Sequence, residues 1–193
     1  MKALSIWSQA PGATEPETPV FVRVQLVREA QSPYGSARLR DSLDAGDMAA
    51  QLIGDAPREV FLAFLLDTKH RINAIHRVSE GRIDSCPAGP REVFQAAIIA
   101  NARCLILAHN HPSGDPEPSA RDLAITRRLC AAGRLLGIGV LDHLVIGQGR
   151  NVTLRGRRPE LEWGDLPSED VGEGREAAHS TLASWRRAGP GAA

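Results

Sequence analysis

The chain has 193 residues and a mass of 20.8 kDa, enough for one domain with a proper core or for two small ones. Apolar residues make up 42%, no apolar run reaches the length of a membrane span, and the N-terminal stretch lacks a signal peptide's apolar core, so a cytoplasmic protein is expected. The 23 basic and 23 acidic residues cancel, which removes any global pull toward nucleic acid. Cys86, Cys104 and Cys130 show no CxxC spacing, which argues against a disulfide framework and a thiolate zinc site.

Residues 1–18, rich in Pro, Ala, Thr and Glu, read as a disordered arm. Val20, Val22, Val24 and Leu26 alternate as in a strand. Asp47 is expected to cap a short helix, DMAAQLI, that Gly54 ends. VFLAFLLD, residues 60–67, is nearly all apolar and suits a strand covered on both faces. DTKH then turns the chain into RINAIHRV to form a hairpin. PREVFQAAIIANA places Pro90 at a helix start, with Val93, Phe94, Ala97 and Ile98 facing inward.

CLILA is a short buried strand that leads into AHNHPSGDPEPSARD. A helix from Ser119 is expected to turn Leu123, Ile125, Leu129, Ala132 and Leu136 inward, and Cys104 and Cys130 read as core residues. IGVLDHLVIG and NVTLRG look like a closing pair of strands, and 159–193, polar and rich in Gly, Pro and Glu, like a flexible tail. The order of elements predicts an α/β sandwich of about 130 residues with mixed strand directions.

His109 and His111 stand two apart at the end of a strand. If the chain stays extended there, both rings lie on one side and can reach one ion. Pro112, Gly114, Pro116 and Pro118 turn the chain back and bring Asp122 to the start of the next helix. Two nitrogens and a carboxylate oxygen suit zinc with an open fourth position, the mark of a catalytic rather than a structural site. They also suit non-haem iron or a cupin barrel, although the helix after Ser119 speaks against the latter. Ser119 and Asp122 equally match a capping box, which would explain Asp122 without any metal.

A hydrolytic site needs a base outside the metal's ligands, and Glu59, Glu80, Glu92 and Asp115 are candidates. Glu59 opens an apolar strand, where a carboxyl pKa can rise; a solvated charge at a strand end explains it as well. Glu59 can meet the histidines only if its strand runs antiparallel to theirs.

HNHPSGDPEPSARD, followed by LCAAGRLLGIGVLDHLVIG and preceded by PREVFLAFLLDTKHRI and GPREVFQAAIIANARCLILA, resembles the RadC-type branch of the JAB/MPN (JAMM) metalloprotease fold. The dense match runs from Asp47 to Gly147, and the domain is bounded at 19–158. The resemblance implies a mixed β-sheet sandwiched by helices, with a layered architecture like that of cytidine deaminase. It implies Zn2+ held by His109, His111 and Asp122, Glu59 as general base and then acid, and Ser119 steadying an oxyanion. Hydrolysis of a peptide or isopeptide bond in a protein substrate is the chemistry of the characterised JAMM relatives.

Asn110 departs from the Ser or Thr that peptidase members usually carry between the histidines, and the segment in front of the domain is a short polar arm. The alternative is a non-enzymatic DNA-repair-associated or protein-binding module with a retained metal site. Arg121, Arg127, Arg128 and Arg134 could form a basic stripe for nucleic acid, but they read equally as a solvated helix face. Asp142 and His143 match the family as well and read as structural, or as supporting the ligands, rather than as ligands.

Overall fold

Strict alternation of apolar side chains along two central strands decides the layers of this domain. The computed structural model describes residues 38–81 and 88–164. The expected arm at 1–18, the strand at Val20–Leu26, Cys86 and the tail from 165 onward lie outside the described residues. The elements run α1 (Ser42–Ile53), β1 (Glu59–Leu66), β2 (Ile72–Gly81), α2 (Pro90–Ile99), β3 (Cys104–Asn110), α3 (Ala120–Leu136), β4 (Gly139–Gly147), β5 (Arg150–Thr153) and the single turn α4 (Leu154–Arg157). Five strands form one mixed sheet in the order β2-β1-β3-β4-β5. Only the β3/β4 pair is parallel, and α3 makes the crossover that such a pair requires.

On β1, Val60, Leu62, Phe64 and Leu66 point into a core shared with α1, and Phe61, Ala63 and Leu65 into a second core on the opposite face. On β3, Cys104, Ile106 and Ala108 join the first core, Leu105 and Leu107 the second. The second core also takes Val93, Phe94 and Ala97 of α2 and Leu129 and Cys130 of α3. A sheet with helices on both faces follows, as expected for strands that are apolar on both sides. The β1/β2 hairpin closes at Asp67, whose side chain accepts from the Lys69 and Arg71 amides at 2.7 and 2.9 Å.

Several expectations need correcting. The first helix starts at Ser42, capped by Asp41, whose carboxylate accepts from the Leu43 and Asp44 amides; Asp47 lies inside it. Gly54 ends that helix in a right-handed conformation, φ −58°, and so provides no left-handed cap. Gly137 at the end of α3 does, with φ +67°. Ile98 is exposed on α2, whose buried residues are Val93, Phe94 and Ala97. Leu136 is exposed because the buried face of α3 is Asp122, Thr126, Leu129, Cys130 and Gly133, a stripe set partly by polar residues. The LRG of NVTLRG is the turn α4, capped by Thr153, rather than strand.

Packing against the core continues past residue 158. Leu161 and Trp163 are buried in the second core, the Trp163 indole donates to the Arg158 carbonyl at 2.9 Å, and the Gly164 amide donates to the Val140 carbonyl at 3.0 Å. The polar residues around this pair hid the signal.

Candidate metal centre

His109 lies on the same face of β3 as Leu105 and Leu107, four and two residues back along the pleat. Its ring stacks on Phe61 of β1, with centroids 5.9 Å apart and planes 6° from parallel. The extended conformation persists for one more step, because the His111 amide donates to the Ile146 carbonyl of β4 at 2.9 Å. The two Nε2 atoms therefore stand 3.0 Å apart. The chain then turns back: the Gly114 amide donates to the His111 carbonyl, and the Gln148 amide to the Gly114 carbonyl, each at 2.9 Å. Gly114 adopts φ +81°, a backbone state that favours glycine.

The turn delivers Ser119 as the N-cap of α3 and Asp122 on its first turn. Asp122 Oδ1 is 3.4 Å from His109 Nε2, and Oδ2 is 3.4 Å from His111 Nε2. The capping box is complete as well. Ser119 accepts from the Asp122 amide at 3.2 Å, while the Ser119 amide and hydroxyl both donate to Asp122 Oδ2 at 2.7 Å. The two explanations of Asp122 are thus not rivals. The helix start holds the carboxylate, and the held carboxylate faces the histidines.

His109, His111 and Asp122 could hold a metal ion, and among the described residues they are the one such grouping. Ligand atoms bonded tetrahedrally at about 2.0–2.1 Å lie about 3.3 Å from one another. The observed separations of 3.0, 3.4 and 3.4 Å match that spacing. Burial raises the Asp122 carboxyl, but its contacts with the His109 and His111 rings and the hydrogen bonds from Ser119 outweigh it and hold it below the usual carboxylate range. The Asp122 hydrogen bond, helped by the Asp115 carbonyl and by the Asp122 and Glu59 charges, raises His111 against its own desolvation.

The outer nitrogens of both ligands are occupied. His111 Nδ1 lies 2.8 Å from the Asp115 carbonyl, which can only accept, so in the neutral ring the Nε2 lone pair faces the cluster. His109 Nδ1 lies 2.9 Å from Nε2 of His143, a fully buried ring on β4 whose pKa burial pushes well below the ordinary value. Thr126 of α3 completes this set at 2.7 Å from His143 Nδ1. Nothing in the sequence marks Thr126, although its place four residues after Asp122 puts both on one helix face.

Asp142 is no part of the cluster. Its Oδ1 accepts from the His143 and Arg155 amides, and its Oδ2 from the Ser42 and Thr153 hydroxyls, tying α1, β4, β5 and α4 together.

β1 and β3 run antiparallel with Phe61 opposite His109, which brings Glu59 alongside His111. Glu59, His111, Ser119, Arg121 and Asp122 line one cleft of about 170 Å³. None of the competing acids lines that cleft. Glu80 is ion-paired with Arg77 at 2.7 Å, Glu92 sits in the first turn of α2, and the Asp115 carboxylate accepts from the Glu117 amide.

Asn110 looks away from the cluster. Its Oδ1 accepts from the Val60 amide at 2.8 Å, and its Nδ2 donates to the Ala56 and Arg58 carbonyls at 3.2 and 3.1 Å. It therefore clamps the backbone on both sides of Glu59. Of the basic residues on α3, Arg121, Arg127 and Arg128 are exposed, whereas Arg134 is ion-paired with Glu162. A larger cleft of about 370 Å³, lined among others by Glu117, Leu123, Arg157 and Arg158, contains none of the three metal-competent side chains.

A five-stranded mixed sheet between helices, with HxH at the end of one strand and an acid on the following helix, defines an α/β domain of the JAB/MPN type carrying a candidate metal centre. The family model of the RadC-like JAB domain matches residues 39–159. The chain belongs to that family. It is 46% identical over 119 residues to a UPF0758 protein of Moorella thermoacetica, covering 62% of this chain and 52% of that one. It is 53% identical over 96 residues to a UPF0758 protein of Geobacter sulfurreducens, covering 50% and 42% respectively. Another, from Pelobacter propionicus, is 54% identical over 95 residues, covering 49% and 42%. The chain thus spans about half the length of the curated relatives it matches. Among the described residues, no helix is long and apolar enough to cross a membrane.

Proposed function

We propose that this domain is a zinc-dependent hydrolase that cleaves a peptide or isopeptide bond. One observation carries the reading: of three side chains with zinc-like donor spacing, His111 and Asp122 line a cleft together with Glu59, a carboxylate that is not among the three. His109, His111 and Asp122 would hold the ion, which when bound polarises a carbonyl and acidifies water. Glu59 takes a proton from the attacking water and returns it to the leaving nitrogen. Ser119, exposed at the cleft, donates its hydroxyl to the oxyanion. It can turn away from Asp122 without stranding that carboxylate, because the Ser119 amide also donates to Oδ2.

The test is cleavage of peptide and isopeptide libraries by the zinc-loaded chain. Turnover that a chelator abolishes, zinc restores and Glu59→Gln suppresses is expected. Exposed Arg121, Arg127 and Arg128 on the helix that carries Asp122 favour a second reading, a nucleic-acid-binding module with a retained metal site. Steep salt-dependent DNA binding without any turnover would support that alternative.

A further inference from the structure

We infer that His143 and Thr126 are positioning residues that lock His109 in its metal-binding tautomer and link two of the ligands by a chain of hydrogen bonds. The inference rests on the metal-centre reading above, and it begins from a contact whose direction is unambiguous. Thr126 Oγ1 lies 2.6 Å from the Asp122 carbonyl oxygen, which carries no hydrogen, so the hydroxyl must donate there. Its single proton is then spent. The 2.7 Å contact between Thr126 Oγ1 and His143 Nδ1 therefore has the ring as donor. A neutral imidazole protonated at Nδ1 has a bare Nε2. That nitrogen can only accept, so at 2.9 Å His109 Nδ1 must be the donor. His109 is left with its lone pair on Nε2, the atom that faces His111 and Asp122.

Every step is forced by the one before it. His109, His143, Thr126 and the Asp122 backbone form a directed chain from one ligand to the main chain of another. All four residues are buried, so water cannot substitute for a missing link. The opposite tautomer of His109 would aim an N–H into the cluster and abolish a ligand. His143 and Thr126 thus decide a chemical property of His109 as well as its place. Partners of this kind typically contribute about 10–100-fold in metal affinity when mutated.

The direct test needs no mutation. In the zinc-free chain labelled with 15N-histidine, long-range proton–nitrogen NMR should show His143 protonated at Nδ1 and bare at Nε2, with His109 protonated at Nδ1. A proton on His143 Nε2 would overturn the inference whatever the zinc result. Zinc affinity, measured by competition with a chromophoric chelator, supplies the second arm. His143→Leu should lose about 10–100-fold. His143→Gln, whose side-chain oxygen can still accept from His109, should recover part of that loss.

Thr126→Val keeps volume and removes the hydroxyl, so it should fold, weaken zinc several-fold and allow a mixture of His143 tautomers. Wild-type zinc affinity in a folded Thr126→Val protein would overturn the inference. A wild-type chain that binds no zinc would instead overturn the metal-centre reading, while the NMR result would still decide the chain of hydrogen bonds.

Discussion

Asn110, set between the two histidines, offers a sharp stability prediction. Replacing it by Ala removes one acceptor and two donor contacts at once, to the Val60 amide and to the Ala56 and Arg58 carbonyls. Val60 is buried, so its amide is left without any partner, at a cost of about 1–3 kcal/mol. Arg58 is exposed and Ala56 half-buried, so water replaces much of what their carbonyls lose, at about 0.5 kcal/mol each. The sum is about 2–4 kcal/mol, a large fraction of the roughly 5–15 kcal/mol that stabilises a typical domain. Urea denaturation of the full chain should show the unfolding free energy falling by that amount, as an earlier midpoint with an unchanged slope. Hydrogen exchange should place the loosening at Val60. Zinc affinity should fall less than tenfold, because the side chain touches none of the three ligands. A stability loss below about 0.5 kcal/mol would refute the clamp.

Asp142→Asn should be tolerated within about 1 kcal/mol, because both backbone amides reach one oxygen and both hydroxyls the other, and hydroxyls can reverse to accept an amide. Asp142→Ala should cost about 3 kcal/mol or more by stranding three buried donors and the half-buried Thr153 hydroxyl, and thermal melts of the two variants should separate accordingly. Asp122→Glu keeps a residue that capping boxes favour at this position but displaces the oxygen, so zinc affinity should fall at least tenfold with little change in melting temperature. Zinc binding requires a neutral His111, whose pKa is raised above its ordinary value, so affinity measured against pH should fall as the pH drops through that raised value and not only below it. Cutting the chain after Arg158 removes the buried Leu161 and Trp163 and should destabilise the domain by about 3–5 kcal/mol in a urea titration.

Where burial follows a period of two, the fold was legible. β1 and β3 are apolar on both sides and could only be central strands, and the Pro90 helix start and the Asp67 turn carry unmistakable local chemistry. The metal-competent residues were legible because HxH at a strand end and a serine-capped helix each have one simple geometry. Long-range contacts left no local mark. Asp41 rather than Asp47 caps α1, since two acids compete in one polar stretch and tertiary packing chooses between them. Leu161 and Trp163 are buried by a contact with β4, hidden in a sequence that looks like linker. Thr126 looks like any other residue of α3 until His143 is brought across from another strand. Asn110 stood out as a departure, but its partners lie some fifty residues earlier in the chain, so its role as a clamp was invisible.

The central claim is that His109, His111 and Asp122 form a zinc site, and zinc stoichiometry tests it most directly. Elemental analysis of the chain, purified without added metal and then titrated with zinc, should give one zinc per chain, lost when Asp122→Ala or His109→Ala is introduced into a protein that remains folded. A wild-type chain that carries no zinc and takes up none in the titration, or an Asp122→Ala protein that retains it in full, would contradict the account.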